Sequence, residues 1–377
     1  MKVLVLGCGE MGSSAVKDLY HYSEFREIMV ATRTIDKASK VLQTLQGKDI
    51  QIAAERIDIT NSPNLIELMK RYDIIINCVG PNYKYEVPIA KAAIEAKVNL
   101  IDINDDYETT FEMFELEKKA KEAGILIVLG LGASPGINNV FARAGADQLD
   151  DIEEIHTSWI MSGADPGGLA LSYHLLYSLS MKALTYENGK LKEVNSFEDG
   201  QETIKFPEPV GSVDVYHIGH PEPITLSRVF PQARIITDKA SFVPNEVNGW
   251  ITTLGKMAIT DKKPVTVNET EIYPMDFFAS YFYRRCKTLK GIVKPGALRT
   301  AVKGKRGNQG KTIIYSSSGL IADGTGIPAS IGAQMFIQGK IKGTGVLPPE
   351  SCVDWKEFLK ILVSRGIGKL HIEEIDS

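Results

Sequence analysis

A chain of 377 residues with 44% apolar and 24% charged residues is typical of a globular protein with a sizeable core, and this length predicts two domains. The formal net charge of −4 argues against nucleic acid as a partner, and no apolar run reaches the roughly 18 residues of a membrane span. The chain is expected to be cytoplasmic, because it opens on a strand rather than a signal peptide and its scattered cysteines suit reduced thiols.

The opening stretch, MKVLVLGCGEMGSSAV, predicts a buried strand, a glycine turn and a helix. Gly7 permits the tight turn, Gly9 lets a pyrophosphate approach the backbone, and Gly12 lets the helix pack closely on the sheet. Because a helix N-terminus favours an anion, the turn is predicted to bind a dinucleotide. The alternative is a glycine turn that binds nothing. The residues assigned to this turn are Gly7, Gly9, Glu10, Met11 and Gly12.

The end of the second predicted strand, Glu27 to Thr32, indicates which dinucleotide binds. A carboxylate at this position would select NAD, because it accepts from the ribose hydroxyls and repels a 2′-phosphate. The chain carries Arg33 and Thr34 there, and a guanidinium beside a hydroxyl suits the 2′-phosphate of NADP. NADP is therefore the predicted cofactor, with NAD possible, since Arg33 can also be read as a solvated residue that closes a strand.

Strands and helices then alternate, which predicts a doubly wound parallel sheet of the Rossmann type in an α/β protein. The predicted elements are the helices Asp36–Leu45, Val87–Ala96 and Glu112–Ala123 and the strands Ile52–Ile57, Ile74–Val79, Asn99–Ile103 and Ile125–Leu129. In such sheets the ligand lies outside the carboxyl ends of the strands. Residues at these ends are thus predicted to bind the cofactor, namely Asp58, Val79, Gly80, Pro81 and Asn104.

The segment ASPGINNVFARAGADQLD, from Ala133 to Asp150, predicts a loop and a helix that lead out of the sheet. Beyond it, alternating segments predict an α+β domain on a mostly antiparallel sheet, with KGKRGNQGK as a hairpin turn. The apolar helix within ADGTGIPASIGAQMFIQGKI is expected to return to the nucleotide domain. The predicted domains are residues 1–130 plus about 322–377, which bind the dinucleotide, and 131–321, for substrate and dimerisation.

Five motifs in order, GCGEMG, ATRT, CVGP, LIDIND and GLGASPGINNV, resemble those of the saccharopine dehydrogenase-like oxidoreductases. The likeness extends to ITLSRVFP and to GTGIPASIGAQMFIQGKI followed by GTGVLPPE. It implies an enzyme that uses NAD(P) on a carbon–nitrogen bond of a lysine-derived amino acid or a related amine, as saccharopine reductases and carboxynorspermidine reductase do. Lysine 6-dehydrogenase is one alternative, and a non-catalytic dinucleotide-binding redox sensor is another.

This chemistry requires a group that holds the reactive nitrogen and a group that moves a proton. Asp102 or Asp165 is predicted to hold the nitrogen, and Tyr173 or His174 to move the proton, although both can be core residues of an apolar helix. Arg228 is the candidate for binding a substrate carboxylate, with a surface position as the alternative.

His217, His220 and Glu222, in HIGHPE, raise the question of a metal. Strand alternation would place the two histidines on opposite faces, so no metal is predicted. The alternative role for either histidine is to line the substrate cavity. A homodimer is predicted, because the long strands of the second domain need their outer face or edge covered.

Overall fold

The computed structural model describes residues 1–179, 182–257, 259–260 and 263–376. The chain divides into two compact units. The first unit consists of Met1–Val140 and Ala322–Ile367, and the second of Phe141–Ile321 and Gly368–Ser377. Residues 131–140 and 368–377 thus lie in the other unit from the one that the predicted domains gave them. The functions assigned to the two domains stay a prediction.

The first unit is built on a parallel sheet of seven strands, in the order β17-β6-β5-β4-β1-β2-β3. The strands, numbered along the chain, are β1 Lys2–Leu6, β2 Glu27–Thr32, β3 Gln51–Arg56, β4 Ile74–Asn77, β5 Asn99–Asp102, β6 Leu126–Val128 and β17 Gly345–Leu347. Val3 to Leu6 are wholly buried, as a central strand covered on both faces requires. The strand order reverses beside β1, and a ligand is expected at that point. The predicted fold class is confirmed.

Helices lie between these strands and beyond them, and one of them, Ile137–Ala146, begins in the first unit and ends in the second. They are α1 Glu10–Tyr22, α2 Ile35–Gln43, α3 Ser62–Met69, α4 Asn82–Ala96, α5 Tyr107–Glu115, α6 Glu117–Ala123, α7 Ile137–Ala146, α12 Ile321–Ile337, α13 Pro349–Cys352 and α14 Trp355–Ser364. Local capping sets several of the starts: Asn61 accepts from the Asn64 N–H at 3.3 Å, and Asp354 caps α14 in the same way. The predicted helix Glu112–Ala123 is instead two helices, which meet at Leu116.

Helix α12 packs against α1, in agreement with its predicted return to the nucleotide domain. A Cβ on Gly326 would lie 2.1 Å from the Met11 carbonyl oxygen, so the two backbones touch. One turn further on, Ser330 Oγ donates to Asp18 Oδ2 at 2.7 Å, and Arg365 Nε lies 2.9 Å from Asp18 Oδ1. The small residues of α12 therefore serve close helix packing.

The second unit carries a mixed sheet in the order β10-β11-β12-β7-β15-β16-β18, with β8 pairing to β12 and β9. Its strands are β7 Asp151–Ser162, β8 Lys182–Glu187, β9 Lys190–Asn195, β10 Glu202–Lys205, β11 Ser212–His217, β12 Ile235–Val243, β15 Gly296–Arg306, β16 Gln309–Gly319 and β18 His371–Asp376. A separate hairpin joins β13 Val265–Val267 to β14 Thr270–Ile272, and the helices are α8 Leu169–Leu179, α9 Glu222–Val229, α10 Glu246–Lys256 and α11 Pro274–Cys286.

The pairings of this sheet are antiparallel except for β7 with β12, so the mostly antiparallel prediction is confirmed. The parallel pair is possible because a long connection containing α8 and α9 separates the two strands. The basic stretch forms the β15–β16 hairpin, where Arg306 faces Gln309. Among the described residues, no helix is both long and apolar enough to cross a membrane.

Candidate active site

The glycine turn after β1 is held by contacts that exclude side chains. The Gly7 N–H donates to the Ala31 carbonyl at 2.8 Å, and the φ of Gly7, +87°, favours glycine. A Cβ on Gly7 would lie 2.7 Å from the Cys78 carbonyl oxygen, and one on Gly12 only 2.1 Å from the Gly7 carbonyl oxygen. These two glycines are required by backbone packing.

Gly9 differs from its two neighbours, because a Cβ there would meet nothing within 4 Å. Its φ of −77° suits any residue, and it forms the N-cap of α1 without a side-chain hydrogen bond to the first turn. The N–H groups at this helix start therefore face a space in which an anion would be favoured. Glu10 is exposed and Met11 half-buried beside it. The cradle fits the predicted pyrophosphate.

The carboxyl end of β2 presents the residues predicted to select the cofactor. Arg33 and Thr34 are exposed, and Thr34 is the N-cap of α2. Asp58, at the end of β3, accepts from the N–H and the hydroxyl of Thr60 at 3.0 and 2.7 Å. These hydrogen bonds, and to a lesser degree the charge of Arg33, lower the pKa of Asp58. The structure therefore brings Arg33 and Asp58 into one electrostatic neighbourhood.

Lys37, in the first turn of α2, was not predicted as a site residue. Its charge acts on the thiol of Cys8 inside the glycine turn, although burial dominates and raises the pKa of that thiol. Lys37 is exposed, as is Arg33. Two cations at this strand end suit a 2′-phosphate better than one. The sequence signal that could have identified Lys37 is its position four residues after Arg33, at the start of a predicted helix.

The segment after β4 lies at the next strand end. Val79, Gly80 and Pro81 are half-buried, and the Val79 N–H donates to Asn77 Oδ1 at 3.1 Å. Pro81 is the N-cap of α4. Their predicted contact with the cofactor stays a prediction, and the structure places all three at the carboxyl edge of the sheet.

Asp102, which is predicted to hold the substrate nitrogen, is 0% exposed. Its Oδ1 accepts from the N–H of Asn104 at 2.9 Å and from the N–H of Gly130 at 2.8 Å. Its neighbour across the strand, Asn77, donates from Nδ2 to Glu86 Oε2 at 2.9 Å. Burial raises the pKa of both carboxyl groups, Asp102 and Glu86. That Asp102 holds the substrate nitrogen stays a prediction, which its contacts with backbone N–H groups do not favour.

Asn104 is 1% exposed and engaged within its own unit. Its Oδ1 accepts from the Asp106 N–H at 3.1 Å and from Thr109 Oγ1 at 2.8 Å, which fixes the start of α5. Its Nδ2 donates to Thr110 Oγ1 at 3.3 Å. The predicted cofactor contact of Asn104 remains a prediction that these contacts do not favour.

In the second unit, the consecutive residues Tyr173 and His174 face different partners. Tyr173 donates its hydroxyl to Asp276 Oδ1 on α11 at 2.8 Å. His174 is buried on α8, and its ring meets that of His220 edge-on with centroids 5.6 Å apart. The two predicted candidates for moving the proton thus have different surroundings, and His174 is joined by His220, which the sequence suggested for a metal or for the lining of the substrate cavity.

His220 lies in a buried polar cluster. Its Nδ1 is 2.7 Å from Glu222 Oε2 and 3.9 Å from Asp238 Oδ2. Asp238 also accepts from Trp159 Nε1 at 3.0 Å and from Thr157 Oγ1 at 2.6 Å. Burial and the neighbouring Glu222 raise the pKa of Asp238 well above its usual range.

The alternation argument does not apply to His220, because β11 ends at His217. The ligand atoms of His220, Glu222 and Asp238 lie within 4.8 Å of one another, a distance that a metal ion could span. Both oxygens of Asp238 already accept from neutral donors, however, and the geometry is that of a hydrogen-bonded network. That the protein uses no metal stays a prediction.

Two other predicted residues lie elsewhere in the second unit. Arg228 is exposed in the last turn of α9, as the surface alternative allowed. Asp165 Oδ2 accepts from the Ile321 N–H at 2.8 Å, at the start of α12. A role for either residue with substrate stays a prediction.

The parallel sheet, the open turn at Gly9 and the exposed Arg33 at the end of β2 together fit a Rossmann-type domain that binds NADP. Two family models cover most of the chain: "Saccharopine dehydrogenase NADP binding domain" matches residues 3–128, and "Saccharopine dehydrogenase C-terminal domain" matches residues 132–367. The chain belongs to the saccharopine dehydrogenase family.

Curated relatives match along the whole length. The chain is 24% identical to the carboxyaminopropylagmatine dehydrogenase of Synechocystis sp., over 97% of this chain and 96% of that protein. It is also 24% identical to the carboxynorspermidine synthase of Vibrio alginolyticus, over 100% and 98%. Among solved structures, the apo saccharopine dehydrogenase (L-Glu forming) of Saccharomyces cerevisiae has the same fold, with a TM-score of 0.71, 16% identity and 99% coverage of both chains.

Proposed function

We propose that the protein is an NADP-dependent oxidoreductase that acts on a carbon–nitrogen bond of a carboxylated polyamine or a closely related amino acid. The observation that carries this proposal is the full-length match to two relatives whose names both describe a carboxylated amine. Saccharopine reductase-like activity on a lysine-derived amino acid is the neighbouring possibility within the family.

The reaction removes hydride from the carbon of a CH–NH group while the nitrogen loses a proton, or runs in reverse. When bound, NADP supplies the hydride acceptor and donor. The residues that would hold it are the N–H groups after Gly9 for the pyrophosphate, with Arg33 and Lys37 for the 2′-phosphate. A 2′-phosphate carries no chemistry at the reacting end, so these two cations act on affinity and cofactor choice alone.

The second unit supplies groups suited to the proton and to the cationic substrate. Glu222 contacts Nδ1 of His220 and thereby fixes the ring orientation, as carboxylates do for catalytic histidines. His174 and Trp159 place two more rings against it, with centroids 5.6 and 5.1 Å from that of His220. We assign His220 the proton transfer, with His174 beside it, in place of Tyr173.

The experiment that tests the proposal measures formation of NADPH by absorbance with four substrates: carboxynorspermidine, carboxyaminopropylagmatine, saccharopine and lysine. We expect kcat/KM for one of the two carboxylated polyamines to exceed that for lysine by about a hundredfold or more, because a site built for several polar groups rejects a substrate that lacks them. His220→Asn should lower kcat and leave the Kd of NADP unchanged, while the exposed His21→Asn serves as the control.

Each other outcome contradicts the proposal in a different way. Turnover of lysine alone would make the protein a lysine 6-dehydrogenase, and saccharopine as the best substrate would favour the saccharopine reductase activity. Binding of NADP without turnover of any substrate would indicate the redox sensor. The homodimer and the cytoplasmic location stay predictions.

A further inference from the structure

Two carboxyl groups of the first unit meet in the protein interior beneath the carboxyl edge of the sheet. Glu86, on α4, and Asp102, at the end of β5, are both 0% exposed. Glu86 Oε2 accepts from Asn77 Nδ2 at 2.9 Å, and Asp102 Oδ1 accepts from the two backbone N–H groups of Asn104 and Gly130. Each carboxyl group thus has one oxygen paired with protein donors.

The other two oxygens have no such donor. Glu86 Oε1 and Asp102 Oδ2 accept from no N–H or O–H group of the described residues. Each carboxyl group nevertheless acts on the pKa of the other as a hydrogen-bonding neighbour. Two neighbouring buried carboxylates cannot both be ionised at reasonable cost, since solvent does not reach them and the largest charge effects on them from the described residues come from other acids. One proton between the two oxygens turns this repulsion into a charge-assisted hydrogen bond.

The surroundings determine which group keeps the proton. Asp102 receives two backbone N–H groups, which favour its ionised form, whereas Glu86 receives one neutral amide. Among the described residues, the titratable groups with a large effect on the pair include Asp105, Asp106 and Cys78, which are all acids and therefore oppose a second negative charge. Glu86 is therefore the donor.

We propose that Glu86 is a positioning residue that carries a proton at neutral pH and donates it from Oε1 to Oδ2 of Asp102. The donated hydrogen bond fixes the Asp102 carboxylate, whose other oxygen holds the backbone that follows β5 and β6. Those strand ends lie on the side of the switch point opposite to β2, where the nicotinamide end of a bound dinucleotide is expected. The proposal goes beyond the proposed function, because it concerns cofactor binding and requires no particular substrate.

The first test compares Glu86→Gln with wild type as the pH changes. Glutamine can still donate to Asp102 and accept from Asn77, but it cannot ionise. In wild type the unfolded chain releases the Glu86 proton near the ordinary pKa, while burial keeps that pKa raised in the folded state. Rising pH therefore favours the unfolded wild type.

Between about pH 5 and 7 we expect the unfolding equilibrium constant of wild type to rise relative to that of Glu86→Gln by about tenfold per pH unit. The measurement is urea unfolding of each protein at a series of pH values. Glu95→Gln, an exposed change on the same helix, should show no such divergence. A pH-independent difference between wild type and Glu86→Gln would overturn the proposal.

The second test measures NADP binding and the protonated carboxyl group directly. Glu86→Gln should bind NADP within about twofold of wild type, whereas Glu86→Ala, which removes the donor, should weaken binding by about tenfold. The infrared difference spectrum of wild type minus Glu86→Gln at neutral pH should contain the band of one protonated carboxyl group, because a contribution from Asp238, whose pKa is also raised, is common to both proteins and cancels.

Equal losses in Glu86→Gln and Glu86→Ala, or an infrared spectrum unchanged by Glu86→Gln, would contradict the assigned proton. Neither readout involves substrate, so a failure here is distinguishable from a failure of the proposed reaction. If Glu86→Ala does not fold, the comparison of wild type with Glu86→Gln still decides.

Discussion

The carboxyl edge of the parallel sheet uses polar groups in opposite ways on the two sides of β1. At the ends of β1 and β2, Gly9 faces open space and Arg33 is exposed, so these groups are available to a ligand. At the ends of β4 and β5, Asn77 and Asp102 are 1% and 0% exposed and are engaged by other protein groups. The polar groups on the β2 side are open to solvent and can therefore bind a ligand directly. Those on the β4 and β5 side hold the backbone of their own loops in place, and this fixes the shape of the sheet edge there.

Gly9→Val should produce the largest effect on the open side. The valine side chain would occupy the space of the pyrophosphate, and the backbone conformation of Gly9 accepts it without strain. We expect the Kd of NADP to rise by about a hundredfold or more, with the thermal unfolding temperature nearly unchanged. Calorimetric titration provides the measurement.

Gly249→Val is the matched control for that change, since a Cβ at Gly249 would also meet nothing within 4 Å and the site lies on α10 of the second unit. It should leave the affinity for NADP as it is. Unchanged affinity in a folded Gly9→Val protein would show that the turn is only structural.

The difference between the two sides also explains what the sequence could predict. Gly7, Gly9 and Gly12 follow one another in a motif with a known mechanism, and Arg33 stands directly at a strand end, so local sequence was enough. Glu86, by contrast, approaches Asp102 because α4 packs beside β5, and in the sequence it is only an acidic residue that directly precedes the predicted helix Val87–Ala96. The same holds for Asp238 and His220, which come together through strand pairing and a loop.

Asp102 illustrates why the location of a residue was easier to predict than its role. Its place at the end of a buried strand follows from the βα alternation. Its role depends on whether its carboxylate faces the crevice or the backbone of its neighbours. The direction of the carboxylate is set by the N–H groups of Asn104 and Gly130, whose positions depend on the conformation of the loops after β5 and β6.

Arg33→Ala should give the second largest effect and tests whether the open side selects NADP. A charge-assisted hydrogen bond contributes about 1.5–3 kcal/mol, so the Kd of NADP should rise roughly ten- to a hundredfold while that of NAD changes little. Lys37→Ala should act in the same direction but less, since a lysine makes no bidentate contact.

The exposed Lys40→Ala, on the same helix as Lys37, is the control and should affect neither cofactor. The assignment of NADP selectivity to this strand end fails if Arg33→Ala weakens both cofactors equally or if wild type prefers NAD.

Gly326→Ala tests whether close packing of α12 supports the open side through α1. The added Cβ would lie 2.1 Å from the Met11 carbonyl oxygen, so the helices must separate. Overpacking of this kind costs about 1–3 kcal/mol of unfolding free energy. Gly324→Ala, two residues earlier, meets only the Ala133 Cβ at 3.9 Å and should be neutral or stabilising. Urea unfolding measures the stability of both variants. Equal stabilities would contradict the close packing of α12 against α1 at Gly326.

His217 is a polar group of the second unit that is buried rather than open to solvent. Its replacement is expected to have the smallest effect of the changes considered. Burial lowers the pKa of His217, so the folded protein resists a proton that the unfolded chain accepts. The unfolding free energy of wild type should fall relative to His217→Gln as the pH drops through the ordinary pKa of histidine, about 6.5. The exposed His21→Gln should not show this divergence. Parallel pH profiles for wild type and His217→Gln would contradict it.

The most direct measurement of the central claim follows the hydrogen that is transferred. A carboxylated polyamine deuterated at the carbon of the CH–NH group is incubated with NADP and the protein, and the reduced cofactor is analysed by mass spectrometry. The account predicts one deuterium in each molecule of NADPH formed, in an amount equal to the amine consumed. Reduced cofactor without deuterium, or no reduction while NADP binds, would contradict an oxidoreductase acting on that carbon–nitrogen bond.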